Sequence, residues 1–141
     1  IPNVKSYFGT DSLIKVLHSA QILIVLLPLT PKTKYIINAS TLKLLPKGAI
    51  ILNPGRGLLI NDNDLLTLLD SNHIRHATLD VFAQEPLIPS HRYWSHPNVT
   101  VTPHIAAHTR PSSSAETIAQ SILKIRAGKK PRGFVSRKEF Y

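Results

Sequence analysis

Between Gln21 and Pro28 the chain reads Ile-Leu-Ile-Val-Leu-Leu, an unbroken aliphatic run with no charge and no alternation. A strand with one face in water alternates apolar and polar residues, so this run reads as a β-strand covered on both faces. Related runs recur at Ala49-Ile-Ile-Leu52, Ala77-Thr-Leu-Asp-Val-Phe82 and Val99-Thr-Val101. Segments of helical spacing separate them. Thr10-Asp11-Ser12 offers capping side chains ahead of Leu13, Ile14 and Leu17, predicting a helix through Ala20. Thr41 to Leu45 reads as a short helix ended by Pro46-Lys47-Gly48. Asn61 can cap a helix carrying Leu65, Leu68 and Leu69, with Asp64 in its positive first turn and Ile60 stapled against Leu65. After Thr109-Arg110-Pro111 a long helix is expected to about Ala127-Gly128.

Short apolar strands alternating with helices predict an α/β fold with a doubly wound parallel sheet. The length of 141 residues, with 43% hydrophobic and 18% charged side chains, suits a globular domain better than a coiled coil or a linker. Cysteine is absent, which excludes disulfide scaffolds and thiolate zinc sites and is compatible with a reducing, cytoplasmic setting. The longest apolar run is far shorter than the roughly 18 residues of a membrane span, so no membrane partner is expected. The net charge of +9 is uneven, with seven basic residues between Lys124 and Lys138. Such a tail can attract polyanions, but no aromatic residues alternate with basic ones on a strand in the manner of an RNA-binding sheet and no zinc-finger spacing accompanies it, so no nucleic-acid partner is expected. The chain begins at Ile1 and contains no methionine, which reads as a piece of a longer chain or a processed product.

In a parallel α/β sheet ligands bind beyond the carboxyl ends of the strands. Those positions hold Pro28-Leu29-Thr30, Asn53-Pro54-Gly55-Arg56-Gly57, Asp80 with Glu85, and Thr102-Pro103-His104. Arg56, between two glycines, can grip a carboxylate with two parallel hydrogen bonds; equally, it can bind a sheet-end carbonyl or an exposed acid. Glu85 lies on the loop leaving the third strand and His104 at the end of the fourth. A histidine beside a carboxylate can serve as a general acid near neutral pH. Other constellations fail. His104 with His108 and His73 with His76 lack a third metal ligand, no Gly-x-Ser-x-Gly elbow occurs, and Gly55-Arg56-Gly57 has Ile60 where a dinucleotide fingerprint needs glycine.

Four ordered motifs then carry a resemblance: Leu26-Leu-Pro-Leu-Thr-Pro-Lys-Thr33, Asn53-Pro-Gly-Arg-Gly57, Leu79-Asp-Val-Phe82 with Glu85-Pro86-Leu87, and Thr102-Pro-His-Ile-Ala106. Together they resemble the D-isomer-specific 2-hydroxyacid dehydrogenases. Ala107-His-Thr-Arg-Pro111 and the Val-x-Arg segment before Tyr141 bring the chain nearest to the glyoxylate/hydroxypyruvate reductase A branch. The resemblance implies that Arg56 holds a small 2-oxo acid, that His104 protonates its carbonyl oxygen, and that Glu85 pairs with His104 and keeps it charged. It implies that Asp80 binds the carboxamide of the nicotinamide, that Arg56 and His104 also border the cofactor, and that Leu27, Pro54, Gly55, Ala106 and Ala107 line it. NADP or NAD is the cofactor implied, with NADPH favoured by the branch.

The chain departs from the family by omission. Its six glycines contain no Gly-x-Gly-x-x-Gly spacing, so the turn that cradles a pyrophosphate is missing. The resemblance therefore divides the chain into the C-terminal part of a dinucleotide-binding domain over 1–108, a helix over 109–128 leading toward an absent catalytic domain, and a basic tail over 129–141. It implies a homodimer in the intact enzyme, and the missing N-terminal half as a partner. The alternative is a truncated, non-catalytic binding or scaffolding module of the same fold. In the family the strand at Ile22 to Leu27 also pairs with a strand that this sequence lacks. Its free edge is expected to meet another copy, the missing half, or the chain's own segment around Val4 to Phe8.

Overall fold

The computed structural model describes residues 4–107 and 109–136, which fall into two compact units dividing between Ile105 and Ala106. The first unit runs α1 (Thr10–Leu17), β1 (Ile22–Ile24), α2 (Ala39–Leu42), β2 (Ala49–Asn53), α3 (Asp62–Asp70), β3 (Ile74–Leu79) and β4 (Val99–Val101). All pairings are parallel, in the order β1-β2-β3-β4. This is the predicted α/β sheet, with every strand's carboxyl end on one edge. The second unit holds α4 (Pro111–Arg126), with proline in its first turn as the sequence predicts.

The core lies between helices and sheet. Leu17 of α1, Leu42 of α2, and Leu65 and Leu69 of α3 are fully buried against Ala49 and Ile51 of β2 and Ala77 and Leu79 of β3. Each such leucine contributes roughly 1.5–3 kcal/mol through the apolar surface it withdraws from water. Asn61 caps α3 as expected, its side chain accepting from the Asp64 N–H at 3.2 Å, and the stapling pair Ile60 and Leu65 is buried. α2 begins two residues before the predicted start because Asn38 and Thr41 form a reciprocal capping box. α1 starts at Thr10 with Gly9 as its N-cap, so Thr10, Asp11 and Ser12 occupy its first turn instead of preceding it, and it ends at Leu17, short of Ala20.

Two strands differ from their expected form. β3 spans Ile74–Leu79 in place of Ala77 to Phe82. Arg75 and His76 extend it at the amino end despite their polarity, because their strand face is only partly covered, and Asp80 starts a buried turn that leaves the sheet. β1 is not covered on both faces: Ile22 and Ile24 are 58% and 54% exposed, and Leu26 and Leu27 are exposed beyond them. Register places Ile22 and Ile24 beside Ile50 and Leu52, which are half-buried, while Leu23 and Val25 face the helices. Among the described residues β1 pairs with β2 alone, and Val4, Tyr7 and Phe8 are themselves exposed. His108 and residues 137–141, which hold Arg137, Lys138 and the end of the Val-x-Arg segment, lie outside the described residues.

Candidate active site

The loops leaving β2, β3 and β4 each carry one of the three candidate catalytic residues, and the parallel topology brings those loops to one edge. Glu85 Oε2 and His104 Nδ1 lie 2.8 Å apart. The other carboxylate oxygen of Glu85 accepts the Phe82 N–H at 2.9 Å, which fixes the carboxyl group from behind. The hydrogen bond from His104, then that from Phe82, holds the Glu85 carboxyl below the usual carboxylate value, with a smaller favourable effect from the Arg56 charge. Glu85, His104 and Arg56 thus share one electrostatic neighbourhood. Both Glu85 and His104 remain open to solvent, as a site for an incoming substrate requires.

Arg56 is exposed, and its Nη1 donates to the Gly55 carbonyl at 2.7 Å. The guanidinium therefore rests on a sheet-end carbonyl, the second of the two roles open to it. Its loop is rigid all the same. Asn53, buried at the end of β2, donates through Nδ2 to the Arg56 carbonyl at 3.0 Å and accepts the Gly55 N–H at 3.1 Å. Gly57 abuts the Phe82 and Ala83 backbone so closely that a Cβ there would overlap the Phe82 carbonyl. The Arg56 loop and the turn carrying Glu85 are consequently fitted to each other.

Asp80 is 5% exposed, immediately past β3. Its N–H donates to the Asn53 carbonyl at 3.1 Å, and its Oδ1 accepts from the Thr102 hydroxyl and from the Ile105 N–H. Leu27 is exposed and Pro54 partly so, at the ends of the paired strands β1 and β2, where they offer an apolar surface beside Gly55. The turn after Leu27 is tied by Thr33, whose hydroxyl donates to the Pro28 carbonyl at 2.7 Å, and by buried Thr30. Ala106 and Ala107 are exposed and belong to the second unit.

Asn53, Gly57 and Thr102 stand in the motifs noted above without an assigned task. The available signal was a polar residue ending an aliphatic strand, which points to a loop-holding role but not to its partner. At the far end of α3 a cleft of about 320 Å³ is lined by Asp70, Arg92 and His96. There Arg92 grips Asp70 with hydrogen bonds of 2.9–3.3 Å, and His96 Nε2 lies 3.4 Å from the same carboxylate. That cluster joins α3 to the residues preceding β4 and shares no residue with the strand-end loops. Among the described residues no helix is long and apolar enough to cross a membrane.

Comparison with known proteins agrees with this architecture. Residues 3–106 match the family described as D-isomer specific 2-hydroxyacid dehydrogenase, NAD binding domain. Among solved structures, the chain is similar to a D-isomer specific 2-hydroxyacid dehydrogenase from Xanthobacter autotrophicus Py2 in complex with NADPH and MES. They share 38% identity and a TM-score of 0.91, over 96% of this chain and 56% of that one. An NADPH-dependent glyoxylate/hydroxypyruvate reductase from Sinorhizobium meliloti in complex with NADP and sulfate matches at 34% identity and a TM-score of 0.88, over 95% of this chain and 44% of that one. A probable 2-hydroxyacid dehydrogenase from Rhizobium etli CFN 42, in complex with NADP, HEPES and L(+)-tartaric acid, matches at 28% identity and 0.89, over 100% and 46%. The chain thus spans about half the length of these relatives. With a parallel sheet of this order and a family match over most of its length, the chain belongs to the D-isomer specific 2-hydroxyacid dehydrogenase family.

Proposed function

We propose that the chain carries the substrate-gripping and proton-donating part of an oxidoreductase that reduces a small 2-oxo acid of the glyoxylate or hydroxypyruvate type. The observation that carries this reading is the 2.8 Å Glu85–His104 contact within reach of the Arg56 charge, on loops leaving three consecutive parallel strands. An ionised carboxylate only accepts hydrogen bonds, so Glu85 accepts one from the Nδ1–H of His104 and leaves the Nε2–H of the imidazolium as the proton to be donated. Arg56 binds the substrate carboxylate and orients the adjacent carbonyl, whose developing oxyanion His104 protonates. A scaffolding module would have no use for this pair, which argues against the non-catalytic alternative.

The residues present fit one end of a dinucleotide. Leu27, Pro54 and Gly55 offer an apolar surface for a flat ring, and Asp80 is a buried carboxylate just past β3, the position from which the resemblance has it bind a carboxamide. The pyrophosphate end is not provided for, since the six glycines include no phosphate-binding spacing. Bound, a reduced nicotinamide supplies the hydride. NADPH is the favoured cofactor, in keeping with the ligands of the relatives above, and NAD is the alternative. The family resemblance supports a cytoplasmic, homodimeric enzyme.

The partner this reading requires is the remaining half of the enzyme, in the same polypeptide or another. The exposed Ile22 and Ile24 and the free side of β1 offer that half an apolar face and a strand edge. Mixing the purified chain with the N-terminal half of a full-length relative, and following NADPH oxidation with glyoxylate, tests the proposal. The chain alone is expected to be inactive and the mixture active. Turnover by the chain alone would show that the site lies elsewhere.

A further inference from the structure

We propose that Asp80 and Thr102 form a clamp that holds His104 in the backbone conformation needed to meet Glu85. His104 has φ of +54°, in the left-handed region that non-glycine residues rarely occupy. Such a conformation persists only where its surroundings enforce it, at a cost of order 1–3 kcal/mol. Here the enforcement comes from both sides of the residue and ends on one atom. On the amino side, the Thr102 hydroxyl donates to Asp80 Oδ1; on the carboxyl side, the Ile105 N–H donates to the same oxygen at 3.0 Å. Thr102 is further fixed by its own N–H, which donates to the Leu79 carbonyl at 3.0 Å and continues the β3–β4 pairing. Its carbonyl accepts the His104 N–H at 3.1 Å, closing a three-residue turn around Pro103. Residues 102–105 are thereby gathered onto a carboxylate that is buried and itself anchored through its N–H to Asn53. The ring of His104 is left projecting toward Glu85.

Asp80 and Thr102 are on this account positioning residues for His104, a task separate from any contact Asp80 makes with a cofactor. The functional weight of the clamp rests on the reading of His104 as proton donor, but its geometry can be measured without turnover. In the isotope-labelled 141-residue chain, a left-handed His104 gives a strong intraresidue amide-to-Hα nuclear Overhauser effect. The Glu85 carboxyl, faced by His104, Arg56 and the Phe82 N–H, titrates below its ordinary 4.5. Thr102→Val removes the hydroxyl at nearly constant volume. It is expected to reduce the His104 signal to that of its neighbours and to move the Glu85 titration up toward 4.5. Thr102→Ser is expected to retain both, and Asp80→Ala to lose both. Amide exchange in β2 and β3 reports whether each variant is folded, and the isosteric Thr102→Val decides the matter if Asp80→Ala does not fold. A folded Thr102→Val chain with both signals unchanged, or a folded Thr102→Ser chain that loses them, would overturn the clamp. Neither result would bear on whether His104 donates the proton, which a turnover measurement decides separately.

Discussion

The carboxyl edge of the sheet and the outer side of β1 both face solvent, yet they are built differently. At the carboxyl edge, buried Asn53 holds the Arg56 loop, buried Asp80 holds the His104 loop, and the Phe82 N–H holds Glu85. Along β1, aliphatic side chains meet water and no described strand pairs with its outer side. The first surface has its loops tied down by hydrogen bonds; the second leaves aliphatic side chains in water. The local geometry of the candidate site is thus set by hydrogen bonds within this chain.

The largest expected effect follows from the closest packing. Gly57→Ala forces a methyl group into the Phe82 carbonyl, and backbone on both sides cannot yield as a flexible side chain would. Destabilisation of about 3 kcal/mol, the upper part of the usual range for overpacking, should appear in urea unfolding. A change under about 0.5 kcal/mol, the size expected of an ordinary surface site, would show that the two loops are not fitted to each other. Asn53→Ala comes next: it leaves the Gly55 N–H and the Arg56 carbonyl without their partner, at a cost of roughly 1–3 kcal/mol. Its amide-exchange signature should be confined to residues 53–57.

Ile24→Lys probes the other surface. On a free edge it should change the unfolding free energy by no more than about 0.5 kcal/mol, while weakening self-association or capture of the complementary half in sedimentation. A loss as large as that of a core residue would mean that the face is already covered. The smallest effect concerns pH. The folded-state pKa of Glu85 is depressed, so its contribution to stability is present above the unfolded value of 4.5 and is lost as pH falls through the lower folded value. Glu85→Gln should remove that part of the acid dependence in a comparison of pH-resolved melting curves.

Much of this was legible in the aliphatic runs, because a parallel sheet leaves few alternatives for short strands separated by helices. The candidate site followed from topology, since residues just past successive parallel strands share an edge. Coverage was less legible. The run from Ile22 to Leu27 has the composition of a buried strand, and nothing local distinguishes a strand that is covered from one that is merely coverable. The bounds of β3 were misjudged because Arg75 and His76 are polar and Val81 and Phe82 apolar, although the first two lie in the strand and the last two pack in a turn beyond it. Asn53 and Thr102 were visible as polar strand-end residues, but their partners are 2 to 22 positions away and depend on loop geometry.

The central claim is that His104 donates the proton. It is tested most directly by His104→Gln in the chain reassembled with a complementary N-terminal half, measuring NADPH affinity and glyoxylate reduction on the same sample. Loss of a general acid should slow reduction by about 10²–10⁴-fold while the affinity for NADPH stays close to that of the unsubstituted assembly. Reduction at an undiminished rate, or an equal loss of affinity and turnover, would contradict the account and return His104 to a structural role.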